Sequence, residues 1–157
     1  MEIKKINNYY ELVLDGVNFV LDPPSVSKDK NIILTDISKN INYDKIFNSA
    51  GEYNVGDVYF WGFSNKNFIT YLFDSKEGSL VYSKELSEET LKKIRMTKKE
   101  VEALFLVDFF DERMVSLFKP NLILTNKNIK LEKFQSSKGD KLKINLKKVD
   151  KLIFVLQ

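Results

Sequence analysis

Ala50-Gly51-Glu52-Tyr53-Asn54-Val55-Gly56-Asp57-Val58-Tyr59-Phe60-Trp61-Gly62-Phe63 reads as two short strands meeting at Gly56-Asp57, a dipeptide suited to a two-residue hairpin turn. In the second strand Tyr59, Trp61 and Phe63 alternate with Val58, Phe60 and Gly62, so both of its faces are apolar. A strand of that kind is expected between two covering layers rather than at a solvated surface.

Working outward toward the N-terminus, Glu2–Ile6, Tyr9–Leu14 and Val17–Leu21 alternate or run apolar and read as strands, with a turn at Asp15-Gly16. Asp22-Pro23-Pro24 ends the third, because proline has no N–H to give a ladder. Residues 32–35 read as a short buried strand, and the asparagine-rich stretch 36–43 as a loop. Toward the C-terminus, 68–74 and 79–82 read as a hairpin across Lys76-Glu77-Gly78. The period then changes. Ser87-Glu88-Glu89 is a helix start, a capping hydroxyl followed by acids that the helix dipole favours, with Leu91 and Ile94 as its apolar stripe. Thr97 and Glu100 have capping-box spacing, which predicts a second short helical turn. Residues 103–107 read as a strand, 111–118 as a helix with Met114, Val115, Leu117 and Phe118 inward, and 121–124 as the next strand. The segments 129–134, 142–146 and 152–156 are expected as closing strands, with a turn at Lys138-Gly139-Asp140. Hairpins first and strand–helix–strand units later predict an α/β sandwich in one domain, residues 1–157.

Composition narrows the chemistry. There is no cysteine, hence no disulfide and no thiolate, which fits a reducing cytosol and a cytoplasmic protein. There is no histidine, which removes the usual general base at neutral pH and the commonest transition-metal ligand. No apolar run is long enough for a membrane span, and Met1-Glu2-Ile3-Lys4-Lys5 does not open a signal peptide. The net charge of +3 conceals an asymmetry: residues 127–157 hold nine lysines against Glu132, Asp140 and Asp150. Such a segment can face phosphate. Against a nucleic-acid role, this segment has no arginine to form a bidentate fork, and lysine, asparagine and isoleucine are abundant throughout, the bias of an AT-rich bacterial genome.

Several stretches together resemble the metallo-β-lactamase fold, in its ascorbate-phosphate-lactonase-like branch. Val17-Asn18-Phe19-Val20-Leu21-Asp22-Pro23-Pro24 looks like that family's early strand ending in Asp-Pro. Ile32-Ile33-Leu34-Thr35 looks like the strand before its metal-binding loop. Ala50-Gly51-Glu52-Tyr53 is similar to its Pro-Gly-Glu-Tyr hairpin, and residues 101–107, 111–120 and 122–125 resemble its late strand, helix, proline and strand. The resemblance implies a reduced four-layer α/β/β/α sandwich. It also implies where zinc ligands would fall: Asp36, Ser38, Asn40 and Ile41 in place of a His-x-His-x-Asp-His loop, Ser83-Lys84 in place of a bridging aspartate, and Asn126-Lys127 in place of a late histidine. Zinc takes three or four N, S or O ligands at about 2.0–2.3 Å, and a protonated lysine has no lone pair to give. The expectation is a pseudoenzyme with no metal or other cofactor, acting as an interaction or scaffold module for a protein partner or a second copy.

Two further sets of residues bear on function. Asp22, Asp36 and Asp108 each follow a predicted strand; gathered at one sheet edge, they could hold Mg²⁺ for a carboxylate-metal hydrolase. The plainer reading gives each a turn or helix cap. Phe109-Phe110 are adjacent after a strand and cannot both face one interior, so one of them is a candidate exposed interface anchor. No Gly-x-Ser-x-Gly elbow, Ser-x-x-Lys pair or Gly-rich phosphate loop is present.

Overall fold

The computed structural model describes residues 1–38, 41 and 43–157. Among these residues fourteen strands form two sheets. In the first, β1 (Glu2–Ile6), β2 (Tyr9–Leu14) and β3 (Val17–Leu21) form the expected meander, and the turn at Asp15-Gly16 has positive φ at both residues, 48° and 74°. Beyond β3 lie β4 (Asn31–Ile33) and the two-residue β5 (Ile46–Phe47), both parallel to their neighbours. The short β13 (Lys141–Lys143) closes the other side against β1.

The second sheet is built on the central hairpin. β6 (Gly51–Val55) and β7 (Val58–Ser64) meet at Gly56, whose φ of 56° is the left-handed value the turn requires. β8 (Ile69–Ser75) and β9 (Gly78–Ser83) continue antiparallel. From β9 the ladder turns parallel through β10 (Ala103–Leu106), β11 (Leu122–Thr125), β14 (Leu152–Leu156) and β12 (Gln135–Gly139). Parallel neighbours need crossovers. α1 (Glu88–Thr97) and α2 (Glu112–Phe118) supply two of them. Ser87 caps α1 as its sequence predicts, accepting the Thr90 amide at 3.1 Å, and Asp111 caps α2.

The sheets face each other across a core of aromatic rings. Phe19 meets Phe60 and Phe73 at centroid distances of 5.6 and 5.2 Å, and Phe47 meets Phe60 edge-on at 4.8 Å. Tyr71 pins the layers: from β8 its hydroxyl donates to the carbonyls of Leu34 and Phe47 at 2.8 and 2.9 Å. Both helices cover the outer face of the second sheet, burying Leu91, Ile94, Met114 and Phe118 against Leu72, Val81, Leu104 and Leu106.

The α/β sandwich of the expected type is present, with one layer differently made. Among the described residues no helix covers the outer face of the first sheet. Its register explains why: cross-strand rows place Lys143, Glu2, Val13 and Asn18 side by side, and Lys141, Lys4 and Glu11 in the next row. A face that charged offers a helix little to bury. Only its far end is apolar, where Val20, Ile32, Leu34 and Ile46 are covered by Val26, from the connection between β3 and β4, and Ile41, from that between β4 and β5.

Other boundaries move for local reasons. Residues 129–134 are not a strand; Ile129, Leu131 and Phe134 fold down onto Ile123, Ile153 and Val155. The strand is instead the polar Gln135–Gly139, which runs through the first half of the turn expected at 138–140. Thr97 is the last residue of α1 and its hydroxyl donates back to Lys93, so the second helical turn does not form. The 142–146 strand is shifted and shortened to Lys141–Lys143.

Candidate functional site

β9, β10 and β11 run parallel and in register, so Ser83, Leu106 and Thr125 end level with one another. β3 and β4 likewise end together at Leu21 and Ile33. A hydrogen bond from Tyr82 to Asp22 joins the two sheets at this edge, where the chain leaves five strands. The carboxyl ends of parallel strands are where α/β sheets place their ligands.

Asp22 is the centre of this edge. It sits at φ 51°, a left-handed conformation that aspartate tolerates better than most residues, and its side chain is only 8% exposed. Oδ1 accepts the Thr35 amide at 2.8 Å; Oδ2 accepts the Thr35 hydroxyl at 2.8 Å and the Tyr82 hydroxyl at 2.6 Å. Lys84 brings its Nζ to 3.4 Å from the same oxygen. Burial, then the charge of Asp22 and the bond to it, push the Tyr82 hydroxyl well above the ordinary tyrosine range. Tyr82 is therefore a fixed donor, not a base. The carboxylate is a satisfied group whose charge Lys84 balances, which is how a buried charge is normally accommodated.

The remaining positions at this edge are also engaged. Ser83 and Thr70, both buried, share a hydroxyl–hydroxyl contact of 2.8 Å, and Ser83 donates to the Glu85 carbonyl, so its oxygen is no free nucleophile. Asp108 and Asn126 bond reciprocally: the Asp108 amide donates to Asn126 Oδ1 and Asn126 Nδ2 to Asp108 Oδ1, each at 2.8 Å. Burial and then the Asp108 charge push the Tyr10 hydroxyl up to about 12. Asp36 accepts the Ser38 amide and hydroxyl at 2.9 and 2.7 Å, a local Asx turn. Lys127 donates its amide to the Thr125 hydroxyl.

Of the positions that the sequence singles out, Asp22, Ser83, Lys84, Asp108, Asn126 and Lys127 do arrive at one edge. Ile41 does not; it packs on the outer face of the first sheet. Asn40 lies outside the described residues. Asp22, Asp36 and Asp108 are not brought together as a metal-holding trio: among the described residues no group of three Asp, Glu, His or Cys side chains could hold an ion. Each carboxylate is held by its own donors instead. Nor does either phenylalanine of the Phe109-Phe110 pair stand exposed. Both are half-buried, Phe109 against the helix-covered cluster and Phe110 between it and the Ile123–Ile153–Val155 cluster. The residues that sequence inspection misses are Thr35 and Tyr82. Tyr82 does carry a signal, since a hydroxyl inside the apolar run Leu80-Val81-Tyr82 must find a partner.

Two facing sheets, helices on the outer face of the larger, and strand ends converging on one edge match a known architecture. The chain has the metallo-β-lactamase fold. Its structure is similar over 100% of both chains to a Thermotoga maritima protein assigned as a Zn-dependent hydrolase of the metallo-β-lactamase superfamily, with a TM-score of 0.73 and 14% identity. Isothiocyanate hydrolase from Delia radicum gut bacteria matches at a TM-score of 0.56 and 12% identity, over 80% of this chain and 84% of that one. No protein-family model and no curated protein sequence matches the chain. The zinc that such hydrolases imply does not fit this donor set. The buried Asp22 carboxylate already faces a lysine ammonium and three hydrogen-bond donors, and Ser38, Ser83 and Asn126 are poor zinc ligands.

No helix among the described residues is long and apolar enough to cross a membrane.

Proposed function

We propose that this chain is a pseudoenzyme, a metal-independent protein that uses the sandwich as a scaffold to bind a protein partner and performs no hydrolysis of its own. The observation that carries this reading is the Asp22–Lys84 pair with its Thr35 and Tyr82 donors. A cation and a set of donors complete the coordination of Asp22, so the edge is held together without an ion. Hydrolysis on this fold depends on a metal that lowers the pKa of bound water, and no histidine, cysteine or carboxylate set among the described residues replaces it. Loss of catalytic donors with an intact apolar framework is tolerated by binding and not by catalysis.

The test is a thermal melt of the full chain with Zn²⁺, Mn²⁺ or Mg²⁺ and with a chelator, alongside ester, lactone and amide reporters. A metal bound at a hundredfold excess over its Kd would add about 2.7 kcal/mol. The expected result is a melting temperature that neither metal nor chelator moves, and no turnover. A metal-dependent rise that disappears in Asp22→Asn, or metal-dependent turnover, would overturn the proposal.

A further inference from the structure

We infer that the open side of β12 is a docking strand for an acidic, extended segment of a partner protein. This rests on the binding-scaffold reading and names the surface and the chemistry of the partner. β12 ends the eight-stranded sheet, and among the described residues β14 is its one neighbour. Gln135 donates its amide to Lys151 and Gly139 accepts from Gln157 across that ladder. In a parallel ladder alternate residues serve the same side. Residues 135, 137 and 139 therefore face β14, and Ser136 and Lys138 turn their N–H and C=O groups outward. Four of the five residues are exposed, and no proline interrupts the strand. An uncovered strand edge of this kind is a template for another strand.

The surroundings select the partner. Beside β12 lies a groove of about 450 Å³ with Ile129 and Val155 as apolar lining and Lys130 and Lys138 as cations. Neither lysine takes part in an ion pair among the described residues, while Lys141 is paired with Glu2 and Lys151 lies over the Phe134 ring. The last 31 residues carry six more positive than negative charges. A strand added here would place every second side chain beside Lys138 on the helix-bearing face. Those side chains should be acidic. The intervening ones would face the gap between the sheets, where Leu142 is only partly covered, and should be apolar. The other long edge, β6, carries Glu52, and its Asn54 side chain is folded back onto the carbonyls of Gly56 and Val58. It lacks this charge. A lysine in mid-edge repels indiscriminate strand pairing; opposite an acidic strand the same lysine becomes a contact.

The probe is a fluorescent, end-blocked octapeptide alternating Glu and Val, titrated into the full chain at low salt and read by anisotropy. Controls are its Lys-for-Glu twin and an oligouridine of similar length. Saturable binding of the acidic peptide alone is expected. Ser136→Pro deletes an outward N–H and leaves the β14 ladder intact, so it should weaken binding roughly tenfold at an unchanged melting temperature. Lys138→Glu should do the same, and serves alone if the proline variant is unstable. No saturable binding up to about 1 mM, an affinity in both variants equal to that of the parent chain, or preferential binding of oligouridine would overturn the inference. A concentration-dependent dimer abolished by Ser136→Pro, without peptide binding, would assign the edge to a second copy and also overturn it. A cross-linked partner unaffected by either variant would leave the scaffold reading standing while this inference fell; metal-dependent turnover would sink the scaffold reading separately.

Discussion

Replacing Asp22 probes the clamp between the sheets. Its carboxylate accepts hydrogen bonds of 2.8, 2.8 and 2.6 Å from Thr35 and Tyr82 and faces Lys84 at 3.4 Å. A hydrogen bond to a charged group contributes about 1.5–3 kcal/mol, but three sharing one acceptor do not simply add. The Lys84 side chain is 25% exposed and can turn toward water, so its share is discounted. Tyr82 cannot: it is fully buried, and its stranded hydroxyl costs about 1–3 kcal/mol. Alanine at φ 51° adds about 1–2 kcal/mol of left-handed strain that asparagine largely escapes. The expected losses are about 4–5 kcal/mol for Asp22→Ala and about 2 kcal/mol for Asp22→Asn, of a total that is ordinarily about 5–15 kcal/mol. Urea unfolding followed through the single tryptophan, Trp61, measures both. At this chain length the melting temperature should fall by about 2–4 °C per kcal/mol. A double-mutant cycle of Asp22→Asn with Tyr82→Phe should show a coupling of about 1 kcal/mol or more. If both single variants lie within about 1 kcal/mol of the parent and the cycle shows no coupling, Asp22 is no clamp and the account of this edge is wrong.

Three other outcomes are expected. Tyr71→Phe removes the donor to the Leu34 carbonyl, while the Phe47 carbonyl keeps the Leu34 amide at 2.9 Å, and should cost about 1–3 kcal/mol, read by the same urea titration. Gly62→Ala would bring a Cβ to 2.6 Å from the Ser49 carbonyl, which is backbone and cannot step aside; a loss of about 1–3 kcal/mol and a lower melting temperature follow. Alkali should unfold the protein through its buried tyrosines. Tyr10 rises from 10.0 to about 12, and Tyr71 and Tyr82 are also raised, each chiefly by burial. The neutral phenols therefore contribute stability that is complete below pH 10 and lost as pH climbs toward 12 and beyond. Phenolate absorbance and urea midpoints across that window should show Tyr71 and Tyr82 ionising together with unfolding, and their ionisation in a still-folded chain would contradict the burial.

Sequence alone determined the elements whose cause is local. The meander of β1 to β3, the hairpin at Gly56-Asp57, the Ser87 cap and the last apolar strand are written in alternation, turn chemistry and capping, each legible within a few residues. Composition alone likewise excludes histidine and cysteine as ligands, since the chain has no imidazole and no thiol. Tertiary structure decided whatever depends on residues far apart in the chain. β12 is polar and exposed and carries no period, so it is a strand only because β14 offers it a ladder. Ile129 and Phe134 look like strand residues until a distant sheet face gives them somewhere else to pack. Asp22, Thr35, Tyr82 and Lys84 span more than sixty positions and become a unit only when β3, β4 and β9 bring their ends to one edge. The same assembly gives each of the three aspartates donors of its own and does not gather them into a metal-holding group among the described residues, and a satisfied carboxylate has little left to offer an ion.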